Sequence, residues 1–268
     1  MQRLYVARGR TRPLRRASAC AQVSLAGLLA ALMSAACLAA CNRGASEDGA
    51  KPGAASQAVT EPATPSPSAA PPPAAAPTTQ AAELGKPAPD FTLVDTADKV
   101  FKLRELRGKT VVLEWFNPDC PFIKHAHGKG PLTDMASKYE TPELVWLSVN
   151  SSAPGKQGNG KQRNVDAKVE YHMTNSILLD ESGSVGRAYG AAKTPHMFII
   201  DPAGNLVYRG GLDNAPMGVP DDARPRPADA KPGELVPYVT NALADLKAAR
   251  TIALADTPPY GCSVKYAD

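Results

Sequence analysis

The chain has 268 residues and a formal net charge of +4, a length that holds one or two domains. Six arginines (Arg3, Arg8, Arg10, Arg12, Arg15 and Arg16) lie within residues 1–40, which contain no acidic residue. Without them 24 basic residues face 26 acidic ones, a net charge of −2. The basicity therefore belongs to one end and gives no ground for nucleic-acid binding. That basic start runs into an apolar stretch, Val23 to Ala40, in the pattern of a secretory signal. Residues 41–83 are rich in Ala, Pro, Ser and Thr, including the run Pro71-Pro72-Pro73. Such a tract buries too little apolar surface to offset its ordering entropy, so a disordered linker is expected. The folded unit is then expected over 84–268.

Leu38-Ala39-Ala40-Cys41 resembles the lipobox of bacterial lipoproteins. The resemblance implies cleavage before Cys41, lipidation of Cys41 and a lipid anchor on the periplasmic side of a bacterial membrane. Asn42, in place of Asp, favours the outer membrane by the same resemblance. An ordinary signal peptide or an uncleaved membrane anchor fits the same run. Of the five cysteines, Cys20 and Cys37 leave with the signal, and only Cys120 and Cys262 remain in the folded part. Two cysteines in an oxidising compartment form a structural disulfide, a redox pair or unrelated thiols, and spacing alone does not choose.

Along the folded unit, strands alternate with helices. Val111 to Phe116 is a nearly continuous apolar run, as expected for a strand buried on both faces. Asn117-Pro118-Asp119 is a turn cluster, and Pro121 marks the first position of a helix. That helix should run towards Tyr139, irregular around Gly128-Lys129-Gly130-Pro131. Leu144 to Val149 is a second buried strand, Ser151 to Asn164 a loop, and 164–172 a helix. Ser176 to Asp180 is a third strand and Ser184 to Tyr189 a short helix. His196–Asp201 and Leu206–Arg209 should pair as a hairpin across Pro202-Ala203-Gly204-Asn205. Asp213-Asn214 reads as a turn. Glu234 to Arg250 spaces Leu235, Val239, Leu243 and Leu246 as an amphipathic closing helix.

Parallel βαβ units followed by an antiparallel hairpin and a helix suit few folds, and four segments narrow them further. Gly85 to Phe91, Leu103 to Lys109, Trp115 to Phe122 and Thr194 to Asp201 together resemble the redoxin families. These comprise the peroxiredoxins (alkyl hydroperoxide reductase/thiol-specific antioxidant) and the periplasmic thioredoxin-like thiol proteins. The similarity is greatest to the peroxiredoxin-like branch and spans about 84–266. It implies a thioredoxin-like α/β fold: a central mixed sheet flanked by helices.

The case for Cys120 rests first on its own setting. A cysteine at a helix N-terminus meets unpaired N–H groups and the positive end of the helix dipole, and both favour the nucleophilic thiolate. A buried structural cysteine is the alternative. The resemblance adds that Pro195 is cis and lies against the thiol, while the backbone of Thr194 pairs with a substrate chain; these two form the substrate platform. Glu114, six residues before Cys120, matches the buried acid of thioredoxins. In a strand buried on both faces such a carboxyl becomes a proton shuttle, unless the pleat turns it outward.

Two departures separate the chain from its relatives. Thioredoxins use C-x-x-C, and here Ile123 takes the place of the second cysteine. Peroxiredoxins carry P-x-x-x-[ST]-x-x-C, where Leu113 now replaces the proline and Asn117 the peroxide-orienting hydroxyl. Cys262, in Tyr260-Gly261-Cys262-Ser263, resembles the tail of the peroxiredoxin-like branch. It is the candidate resolving thiol, reaching a sulfenic acid on Cys120 from a mobile tail loosened by Pro258-Pro259.

The expected function is thus a membrane-tethered thiol oxidoreductase or peroxidase-like antioxidant. Its catalytic residues would be Cys120, Cys262 and Glu114, its substrate a peroxide or a protein or small-molecule thiol, and its reductant an external thiol. No cofactor and no metal site are assigned. The reading from another class is a non-catalytic copper- or partner-binding protein drawing on His125, His127 or His172, with Lys124 a thiolate partner or a solvated charge.

Overall fold

The computed structural model describes residues 81–268. The signal segment, Cys41 and nearly all of the 41–83 linker lie outside the described residues. The sheet begins with a short hairpin, β1 (Thr92–Asp95) and β2 (Val100–Lys102). Its centre is three parallel strands, β3 (Thr110–Trp115), β4 (Leu144–Asn150) and β5 (Ser176–Leu179). The expected hairpin is β7 (His196–Ile200) with β8 (Leu206–Gly210), set antiparallel against β3. The strand order is β2-β1-β5-β4-β3-β7-β8. A second, two-strand sheet joins β6 (Lys193–Thr194) to β9 (Cys262–Ser263).

Helices cover both faces, which is why the central strands read as unbroken apolar runs rather than alternating ones. Leu113 and Trp115 face one side with Leu147, Phe198 and Ile200, covered by Val185 and Tyr189 of α4 (Ser184–Tyr189). Val112 faces the other side with Trp146, Met197 and Ile199. That side is covered by α1 (Pro121–Gly128), α2 (Met135–Tyr139) and α5 (Tyr238–Lys247). The fifth helix, α3 (Lys161–Glu170), packs through Ala167 beside Cys120 and Ile177. The arrangement is the thioredoxin-like mixed sheet flanked by helices that the motifs imply. Among the described residues no helix is long and apolar enough to cross a membrane.

The break expected between Cys120 and Tyr139 falls at Lys129-Gly130. Both amides donate to the His125 carbonyl, at 2.9 and 2.8 Å, and end α1. A Cβ on Gly130 would sit 2.9 Å from the Ala126 Cα, so only glycine allows the chain to turn this tightly.

Three expectations need correction. The helix placed at 164–172 starts earlier, at Lys161, because Gly160 turns the chain at φ +97° and the buried Asn164 amide donates back to the Gly160 carbonyl at 2.8 Å. The closing helix starts at Tyr238, not Glu234. Pro237 disfavours the helical region for Val236, whose amide donates to Asn214 Oδ1 at 2.8 Å, and Leu235 is left exposed. The C-terminal tail is docked rather than mobile. Val264 donates to the Ala192 carbonyl (3.2 Å), Ala153 donates to the Lys265 carbonyl (2.8 Å), and the Tyr266 hydroxyl donates to the Ala191 carbonyl (2.7 Å). Pro258-Pro259 shapes the approach of this segment, and aromatic packing and strand pairing hold it.

Candidate active site

Cys120 is the residue before the first turn of α1, with extended backbone angles (φ −74°, ψ 126°), and its carbonyl accepts the first helical bond from Lys124 at 2.9 Å. Its side chain is completely buried, packed with Phe116, Ile123, Ala167, Tyr171, Met173 and Ile177, with Cys262 and Phe122 half-buried against it. The turn before it is fixed from outside. Arg163 of α3 donates twice to Asp119 Oδ1, at 3.0 and 2.9 Å, and the Tyr171 hydroxyl donates to the Pro118 carbonyl at 2.9 Å.

The Thr194–Pro195 peptide bond is cis, as the resemblance implies. The Cys120 thiol donates to the Thr194 carbonyl at 3.2 Å. Thr194 pairs directly with Cys262 across the β6–β9 ribbon. The structure therefore brings Cys120, Thr194, Pro195 and Cys262 to one place.

The two thiols differ in kind. Burial pushes the Cys120 thiol up, but hydrogen bonds from the Cys262 and Thr194 side chains and from the Ile123 and Cys262 amides outweigh it. The net effect is a thiol held below its ordinary value. Burial pushes Cys262 up to about 11, helped by the hydrogen bond and charge of Cys120 and opposed by Lys265. Cys120 is thus the easier of the two to ionise.

Glu114 lies inward and fully buried, which settles the direction of the pleat. Its carboxylate accepts from His127 Nε2 at 2.7 Å, Ser148 Oγ at 3.1 Å and Trp146 Nε1 at 3.3 Å. Asn175 in turn donates to Ser148 Oγ at 2.9 Å. No hydrogen bond among the described residues joins Glu114 to Cys120. His127 is bonded to the sheet and packed on Phe116 and Tyr171. His125 points to Gly218, and His172 is exposed at φ +53°. Lys124 is exposed, a solvated charge. Among the described residues no group of three or more His, Cys, Asp or Glu side chains converges to hold a metal ion.

Asn117, which stands where peroxiredoxins have a hydroxyl, is buried with its amide committed to the loop. It donates to Ser152 Oγ (3.2 Å) and the Gln157 carbonyl (2.9 Å), and its oxygen accepts from the Asp119 amide (2.9 Å). The Thr194 hydroxyl donates to the Cys262 carbonyl at 3.5 Å.

Sequence reasoning missed the residues that seat Cys262. The Tyr260 hydroxyl donates to the buried Asp213 at 2.8 Å, Arg224 lies over the Tyr260 ring at 5.0 Å, and Phe122 of α1 packs on it at 6.1 Å. The chain bends at Asn214, and the Asp213 carboxylate accepts from the Ala215 amide at 2.8 Å and faces the interior, where burial pushes it up. The available signal was composition: Tyr260 and Tyr266 flank the tail cysteine where a free tail would be polar.

Comparison with known proteins agrees with this fold. The Redoxin family model matches residues 83–222. Peroxiredoxin-2 of Cricetulus griseus is 32% identical over 147 residues, 47% of this chain and 67% of that protein. The thiol-disulfide oxidoreductase ResA of Bacillus thuringiensis subsp. konkukian (strain 97-27) is 25% identical over 128 residues, 47% of this chain and 68% of that protein. A hypothetical protein of Sinorhizobium meliloti 1021 superposes with a TM-score of 0.57 at 26% identity, over 70% of this chain and 97% of that one.

Proposed function

This chain belongs to the Redoxin family, and from that premise we propose that it is a thiol oxidoreductase working through two cysteines, Cys120 as nucleophile and Cys262 as resolving thiol. The observation that carries the reading is the pairing of Thr194 with Cys262, which seats the second sulfur against a buried, helix-mouth thiol. With a hydroperoxide, the Cys120 thiolate attacks the terminal oxygen. An S–O bond forms, the O–O bond breaks, and the alcohol (or water) leaves with the proton. The Cys262 thiol then attacks the sulfenic sulfur, the S–S bond forms and water leaves. An external dithiol returns both cysteines to thiols by exchange, supplying the electron pair the oxidant took. Thr194 and Pro195 form the wall against which the oxidant is held. Glu114, bonded to α1 through His127, is a positioning residue that fixes the helix carrying Cys120.

Mass spectrometry of the non-reduced protein after mild hydroperoxide treatment tests the cycle. A Cys120–Cys262 linkage is expected, and Cys120→Ser is expected to abolish peroxide consumption. Sulfinic Cys120 beside free Cys262 would remove the resolving role. Absence of thiol-dependent turnover with both hydroperoxide and disulfide would remove the enzyme.

A further inference from the structure

Cys120 has no exposed surface, so what opens to reach it decides what it reacts with. Most of its surroundings belong to the main fold: Phe116 at the end of β3, Ile123 of α1, Ala167 of α3 and Ile177 of β5. The exception is β9, two residues that lie outside the main sheet and whose one strand partner is β6. Local opening of lowest cost is therefore at β9. Besides the Val264 and Lys265 backbone bonds, side-chain contacts on both sides resist it. Tyr260 is held by Asp213 on one side of Cys262, and Tyr266 by the Ala191 carbonyl and Arg187 on the other. Between them Gly261, at φ +109°, lies so close to β6 that a Cβ would stand 2.1 Å from the Thr194 oxygen.

We infer that β9 is a specificity strap that limits the oxidants of Cys120 to molecules the size of a hydroperoxide and excludes protein disulfides while it is paired. The inference rests on the reading of Cys120 as nucleophile. A hydroperoxide needs only side-chain movement of the half-buried Cys262 and Phe122. A polypeptide disulfide must bring its own backbone to the sulfur, and the Thr194 edge it would meet is already taken by Cys262 of the same chain.

The test uses the full chain carrying Cys262→Ser, with modification read at the Cys120 peptide, and two independent lesions of the strap, Gly261→Ala and Tyr266→Ala. Far-UV circular dichroism checks that each still folds. With the strap intact, iodoacetamide should label Cys120 at least about tenfold faster than a polymer-linked maleimide, each rate normalised to a free thiol. Either lesion should bring the two rates to within about threefold. Oxidation by hydrogen peroxide should change little on lesion, and mixed-disulfide formation with a protein disulfide should rise by about tenfold or more. Labelling independent of probe size with the strap intact, or no gain in protein-disulfide reaction in either folded lesion, overturns the strap. Size-dependent labelling that the lesions abolish, with no reaction towards hydroperoxide in any variant, supports the strap and overturns the redox reading instead.

Discussion

Cys120 and Cys262 sit side by side, yet their surroundings push their ionisation in opposite directions, and each is part of the other's environment. Alkylation rate against pH should therefore show Cys120 reacting with a midpoint below an ordinary thiol and Cys262 with a midpoint near 11. In Cys120→Ser the midpoint of Cys262 should fall, since a neighbouring hydrogen bond and charge are gone while Lys265 remains. Cys262→Ala, which removes the thiol donor to Cys120, should move the Cys120 midpoint upward. Cys262 ionising first in the native chain would reverse the assignment of nucleophile. At this scale Cys120 was legible in advance, because a strand end, a turn and Pro121 are local signals. The role of Asn117 was not: its substitution for a hydroxyl was visible, but its partners Ser152 and Gln157 lie 35 and 40 residues away.

Among the elements, α1 depends on one buried bond to the sheet, from His127 to Glu114. Glu114→Ala would leave the donors of His127, Trp146 and Ser148 without their acceptor, at about 1–3 kcal/mol for each buried group stranded. Denaturant unfolding should show a loss of several kcal/mol, and Glu114→Gln, which keeps an acceptor oxygen, a smaller one. The positioning role also predicts that Glu114→Gln leaves the pH midpoint of Cys120 alkylation unmoved. A displacement of about one pH unit or more would assign Glu114 a direct part in the proton transfer. The long central strands and α4 were readable because their apolar runs are continuous. β1, β2, β6 and β9 were not, since a short strand without a continuous apolar run has too little pattern of its own and exists through its partner. The tail shows this most clearly: Pro258-Pro259 reads locally as loose chain, while the pairing that fixes it joins positions 194 and 262.

For the molecule as a whole, His196 couples stability to acidity. It follows the cis-proline, is buried, and accepts from the Ala192 amide through Nδ1 at 3.3 Å. Burial first, and then the Arg209 charge, push it down from 6.5 to about 4. Between those values the unfolded chain binds the proton and the folded one does not, so this contribution is complete above pH 6.5 and is lost as pH falls towards 4. The expected loss from this group is about 3 kcal/mol. It should appear as a drop in the urea midpoint between pH 7 and pH 4, with a shallower pH slope in His196→Gln; equal slopes would place the acid sensitivity elsewhere.

The seat of Cys262 also fixes what the proposed disulfide would do to the chain as a polymer. Cys120 and Cys262 lie far apart in the sequence, and docking packs them together before any bond exists, so closing the ring costs the folded chain almost no further entropy. The unfolded chain would lose far more: a cross-link spanning roughly 140 residues removes about 5 kcal/mol of its configurational freedom. Oxidised and reduced forms would then share one fold but differ in resistance to heat, denaturant and proteolysis. The melting temperature of the domain would itself report the oxidation state of its environment.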